Sequence, residues 1–81
     1  MTKLLEEIHP GEILLHEFML PMGVSEVGLA EKGHISIEIV KAVIDGKQPV
    51  TPEIAIALQD VFSIEPNFWT NLQSEYDLRI N

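Results

Sequence analysis

The stretch that decides the fold is Val24 to Lys47, VSEVGLAEKGHISIEIVKAVIDGK. Ser25 is a residue type favoured at a helix N-cap, where its hydroxyl accepts from a backbone N–H of the first turn. Val24 before it is placed to staple onto Leu29. Ser36 repeats the device for a second helix, with Ile35 stapling onto Val40. Gly33 or His34 has to make the turn between the two, and Asp45-Gly46 closes the second helix with a residue that tolerates positive φ. Helices this short, joined this tightly, must cross steeply, which is the spacing of a helix-turn-helix over about 25–45. In that motif the second helix is the one offered to a DNA groove.

Outward from this centre the pattern stays helical. On the N-terminal side, Met1 to Ile8 reads as a partly ordered lead-in. His9-Pro10-Gly11-Glu12 then starts a helix, since Pro10 suits the first helical position and Glu12 favours the positive end of the helix dipole. Ile13, Leu14, Glu17 and Phe18 follow at helical spacing, and Pro21 is expected to end the run. On the C-terminal side, Thr51-Pro52-Glu53 combines a capping hydroxyl, a proline at the first position and an early acid. Ile54, Leu58, Val61 and Phe62 form the buried stripe of that helix. Pro66 opens a last helix, about 66–80, with Phe68, Trp69, Leu72, Tyr76 and Ile80 on one face. The expectation is an all-α fold, a five-helix bundle with a central helix-turn-helix, and one domain over 1–81.

Composition narrows the function. With 81 residues and no cysteine, neither a disulfide frame nor a thiolate metal site supports the fold. The core has to come from the 46% hydrophobic residues, helped by dimerisation. No apolar run approaches the length of a membrane span, and the N-terminus is too acidic for a signal peptide, so a cytoplasmic protein is expected. His9, His16 and His34 share no metal-ligand spacing. Glu6-Glu7, Glu12 and Glu17 offer no paired-acid geometry, so no catalytic, metal or cofactor residue is assigned and an enzyme is not expected. Five Lys and Arg against thirteen Asp and Glu give a net charge of −8, the opposite of a basic nucleic-acid footprint. The helix-turn-helix itself is nearer balance, with Lys32, Lys41 and Lys47 against Glu26, Glu31, Glu38 and Asp45. The acid sits in the flanks, where it suits a basic protein partner.

Read together, Ile8-His9-Pro10-Gly11-Glu12-Ile13-Leu14, Leu29-Ala30, Asp45-Gly46-Lys47, Val50-Thr51-Pro52-Glu53-Ile54-Ala55, Asn67-Phe68-Trp69-Thr70-Asn71-Leu72-Gln73 and Tyr76-Asp77-Leu78 resemble the HigA-type antitoxins. These are small members of the helix-turn-helix group that includes the phage repressors, with a lambda-repressor-like DNA-binding domain. The resemblance implies a homodimer that binds and neutralises an mRNA-cleaving toxin of the HigB type and represses its own operon. The chain departs from the family where DNA would be read. Ile37, Glu38 and Ile39 stand where Arg, Gln, Thr or Ser is usual, and Glu26 replaces a Gln. Gly28 takes a position that is often basic or polar, His34 matches the turn glycine, and Gly33 falls at a core position.

The candidate DNA-binding residues are therefore Ser25, Glu26, Ser36, Ile37, Glu38, Lys41, Ala42 and Lys47. Glu38 can accept from a cytosine amino group, while Ile37 and Ala42 can touch thymine methyls. Ser25, Ser36 and Lys47 would serve phosphates. The candidate dimer interface is Phe68, Trp69, Leu72, Gln73 and Tyr76 on the last helix. The rival reading is a protein-binding module whose helix-turn-helix has decayed and no longer binds DNA specifically. In that reading Ile37 or Ile39 fills the space left by Gly33.

Overall fold

The computed structural model describes residues 8–80, the side chain of Ile80 excepted. Glu6, Glu7 and the rest of the expected lead-in before Ile8 lie outside the described residues, as does Asn81. Five helices and no strand are found among the described residues: α1 Pro10–Met22, α2 Glu26–Gly33, α3 Ile37–Ile44, α4 Pro52–Phe62 and α5 Pro66–Ile80. The all-α, five-helix fold is the expected one. No single helix among the described residues is long and apolar enough to cross a membrane.

Local chemistry accounts for each start. Ser25 Oγ accepts from the Gly28 N–H at 3.0 Å, Ser36 Oγ from Ile39 at 3.2 Å, and Thr51 Oγ1 from Ile54 at 3.3 Å. Each hydroxyl satisfies a first-turn donor that has no partner inside its helix. The cap of α1 is His9, a residue whose capping role was not read from the sequence. Its Nδ1 accepts from Gly11 N–H at 2.9 Å, with Pro10 at the first helical position.

Pro21 does not end α1, which runs on to Met22 before Gly23 turns out with φ 69°. A proline interrupts a regular helix because it removes a donor and crowds the carbonyl four residues back. Here that carbonyl belongs to Glu17, inside a widened stretch, Leu14–Met19, where hydrogen bonds reach five residues back, as from Leu20 N–H to the Leu15 carbonyl. The wider turn makes room for the ring. Beyond Gly23, α2 leaves α1 at 97°.

The core is built from one stripe of each helix. Leu14 and Met19 of α1, Leu29 of α2, Val40 and Val43 of α3, Ile54, Leu58 and Phe62 of α4 and Trp69 of α5 are buried together. Trp69 is 0% exposed and lies edge-on to Phe18 and Phe68, at ring separations of 5.2 and 5.0 Å. Its indole N–H is buried without a hydrogen-bond partner among the described residues.

Two backbone approaches hold the bundle to its shape. A Cβ added at Gly11 would lie 1.8 Å from the Val43 carbonyl oxygen, so only glycine lets the start of α1 press against α3. Gln73 of α5 accepts from the buried Val50 N–H at 2.8 Å and donates to Asp77 Oδ1 at 2.9 Å. That amide ties the loop before α4 to the last helix and satisfies a backbone donor that water does not reach.

Candidate nucleic-acid interface

The turn between α2 and α3 settles where α3 points. His34, not Gly33, makes it, with φ 58° and ψ 40° in the left-handed region. The N–H groups of His34 and Ile35 both return to the Ala30 carbonyl, closing α2. Gly33 is the last helical residue and is buried. A Cβ there would meet the Ala57 Cβ at 3.3 Å and Val61 Cγ2 at 3.6 Å. The space it leaves is thus taken by α4, and neither Ile37 nor Ile39 fills it.

Ser36 then opens α3, and the burial pattern fixes its rotation. Val40 and Val43 are each 1% exposed and face the core. At about 100° per residue, the opposite side is headed by Glu38, with Ala42 one turn further on and Asp45 beyond it. Glu38 and Lys41 are exposed, Ile37 and Ala42 half-buried, and Ile39 lies at 37% exposure beside Glu38. The far end of α3 is closed by Gly46 at φ 78°, where the N–H groups of Lys47 and Gln48 return to the Ala42 carbonyl at 2.9 and 3.2 Å. Lys47 is left exposed just past the helix.

Ser25 and Ser36 are exposed caps at the starts of α2 and α3, and Glu26 sits half-buried in the first turn of α2. One motif thus presents two capped helix N-termini, one outward helix face and three exposed lysines, Lys32, Lys41 and Lys47. Helix N-termini favour anions, and the major groove of DNA admits an α-helix. The expected DNA-facing residues belong to this one motif. The face differs from a basic reader in the carboxylate at its head and the apolar residues beside it.

The expected dimer residues separate into two groups. Trp69 and Gln73 are not on a surface: the first is in the core and the second, at 7% exposure, bonds Val50 and Asp77 within the same chain. An apolar stripe on a helix says which side is covered, and here α1 and α4 cover it. Phe68, at 40% exposure, and the half-buried Leu72 and Tyr76 remain near the surface. Tyr76 meets the His9 ring edge-on at 4.9 Å. Leu72, Tyr76, Glu75 and Arg79 line a groove against Ile8, Pro10 and Ile13 of the first-helix region. His16 is exposed, and no cluster of metal-ligating side chains occurs among the described residues.

This fold and this motif define a helix-turn-helix protein of the phage-repressor type. Comparison with known proteins narrows the class. The Pseudomonas aeruginosa antitoxin HigA, solved with the higBA promoter, superposes with a TM-score of 0.87 at 36% identity, covering 91% of this chain and 80% of that one. Another Pseudomonas aeruginosa structure, solved in complex with its operator DNA, matches with a TM-score of 0.86 at 37% identity over 90% of this chain and 77% of that one. Virulence-associated protein I of Dichelobacter nodosus is 36% identical over 73 residues, which is 90% of this chain and 68% of the relative. No protein-family model matches. The chain belongs to the HigA-type antitoxin family of helix-turn-helix proteins, whose members are regulators and not enzymes. It spans between 61% and 68% of the length of the first curated relatives it matches.

Proposed function

We propose that the protein is an antitoxin and autorepressor: a homodimer that binds operator DNA through α2 and α3 and neutralises an mRNA-cleaving toxin of the HigB type. The observation that carries the DNA part is the outward face of α3 in a motif whose two helices both start at exposed serine caps, in a fold shared with structures solved on promoter and operator DNA. Glu38, Ile37 and Ala42 meet base edges, Lys41 and Lys47 serve phosphates, and Ser25, Ser36 and Glu26 frame the approach of the backbone. Phe68, Leu72 and Tyr76 supply the two-fold contact, with the groove beside α1 receiving the partner copy. The exposed acids Glu53, Asp60, Glu65 and Glu75 of α4, α5 and their link suit a basic toxin.

The test is fluorescence-anisotropy titration with DNA from upstream of the gene against a scrambled duplex, at two salt concentrations. Preference for the native duplex is expected. Equal affinity for both, in folded dimeric protein, would favour the rival reading, a protein-binding module, to which the net charge of −8 and the carboxylate on α3 lend weight. Co-expression with the product of an adjacent reading frame tests the toxin arm, the expected result being a stable complex and restored growth.

A further inference from the structure

From the surroundings of Glu38 we infer that it is the residue that sets base preference, selecting cytosine at one position of each half-site and rejecting guanine and thymine there. The inference rests on the proposed operator binding and goes to its specificity. Glu38 stands at the head of the outward face of α3, exposed and without an ion pair among the described residues. Of its neighbours on α3, Ile37, Ile39 and Ala42 offer no donor, and the exposed Lys41, one turn on, makes no ion pair with it. When the helix enters a groove these apolar groups exclude water around the carboxylate, which then has to be paired by the DNA itself. A charged group stripped of water and left unpaired costs far more than a pair gains.

The major groove offers few partners to such a group. Guanine presents only acceptors, N7 and O6, and thymine an acceptor beside a methyl, so both repel a carboxylate. Adenine presents a donor, N6, but next to the acceptor N7, which a carboxylate also repels. Cytosine presents its N4 amino group and no acceptor of its own on the groove edge. Of the four bases it alone pairs with Glu38 without a penalty. The same carboxylate repels phosphates on any duplex that fails to supply the amino group, so it weakens non-specific binding as well as choosing the site.

The experiment is selection from a randomised duplex pool by the full chain and by Glu38→Gln, followed by anisotropy titration of the enriched duplex and single-base variants. Glu38 is exposed, so the variant is expected to fold, and circular dichroism checks this. The wild type is expected to enrich a motif with cytosine at one position per half-site. Replacing that C·G pair by T·A should weaken it about tenfold. In Glu38→Gln the same position should change to adenine, whose N6 and N7 an amide matches, while the other positions stay as they were. A wild-type motif without such a cytosine, or one unchanged in Glu38→Gln, overturns the assignment and leaves operator binding standing. A wild type that enriches no motif overturns both.

Discussion

Gly11→Ala separates two physical effects that predict opposite signs. Gly11 lies in the first turn of α1, and by helix propensity alone alanine there should stabilise by roughly 0.5–1 kcal/mol. Packing says otherwise. The new Cβ would stand 1.8 Å from the Val43 carbonyl oxygen and 2.7 Å from its carbon. Ordinary contact begins near 3.4 Å, so the two helices would have to part by about 1.5 Å. The obstacle is backbone and has no rotamer to escape into. The shift would also disturb the His9 cap, whose donor is the Gly11 N–H itself. Overpacking costs about 1–3 kcal/mol even where side chains can yield, so about 3 kcal/mol is expected here. For a domain of this size that lowers Tm by roughly 12–24 °C. Urea and thermal unfolding followed by the emission of Trp69, the single tryptophan, give the number directly. Gly23→Ala is the control, because φ is 69° there with nothing within 4 Å, so its loss reports the left-handed backbone alone, about 1 kcal/mol. A Gly11→Ala loss no larger than that of the control would refute the close approach of α1 to α3.

The turn and the buried amide give further tests. His34→Gly should stabilise by about 0.5 kcal/mol, since glycine takes the left-handed turn without a Cβ penalty and loses part of the gain to backbone entropy; unfolding in urea measures it. Gln73→Ala leaves the Val50 N–H buried and unpaired, and should cost about 1–3 kcal/mol with faster amide exchange at Val50. Ser36→Ala removes the cap of α3, for about 1 kcal/mol in thermal unfolding.

Much of the fold is legible in the sequence because its signals are local. A hydroxyl at a cap, a proline one residue on and an apolar repeat act within one helical turn, and all three serine and threonine caps stand where they were expected. The misses involve what one element does to another. Pro21 reads as a stop because the widened turn that accommodates it leaves no residue signature. Trp69 and Gln73 read as interface because periodicity shows which side of α5 is apolar without showing that α1, α4 and the Val50 loop cover it. Gly11 and His9 were legible as a helix start, whereas their contact with α3 and Tyr76 required the tertiary arrangement. At the candidate interface, the choice between Gly33 and His34 was a tertiary matter: Gly33 ends α2 buried against α4, and the left-handed residue is the next one, His34.

The charge distribution bears on how such a protein would use DNA. The described lysines, Lys32, Lys41 and Lys47, all lie on the helix-turn-helix or directly after it, while the remaining described cation, Arg79, is 3.6 Å from Glu75 at the far end of α5. Among the described residues, the positive charge available to phosphates is therefore confined to the helix-turn-helix and the residue after it, inside a chain whose net charge is −8. With about three phosphates neutralised per protomer, the log–log salt slope of a dimer should be near −5, about half that of strongly basic repressors. Non-specific affinity falls with that term, since counterion release supplies nearly all of it. What remains for discrimination is base contact, and the side of α3 proposed to face the bases carries a carboxylate and methyl groups. Affinity is thereby made to depend on the right donor being present in the groove. A slope as steep as −10 would contradict this, because it would require cations beyond the three lysines of the motif.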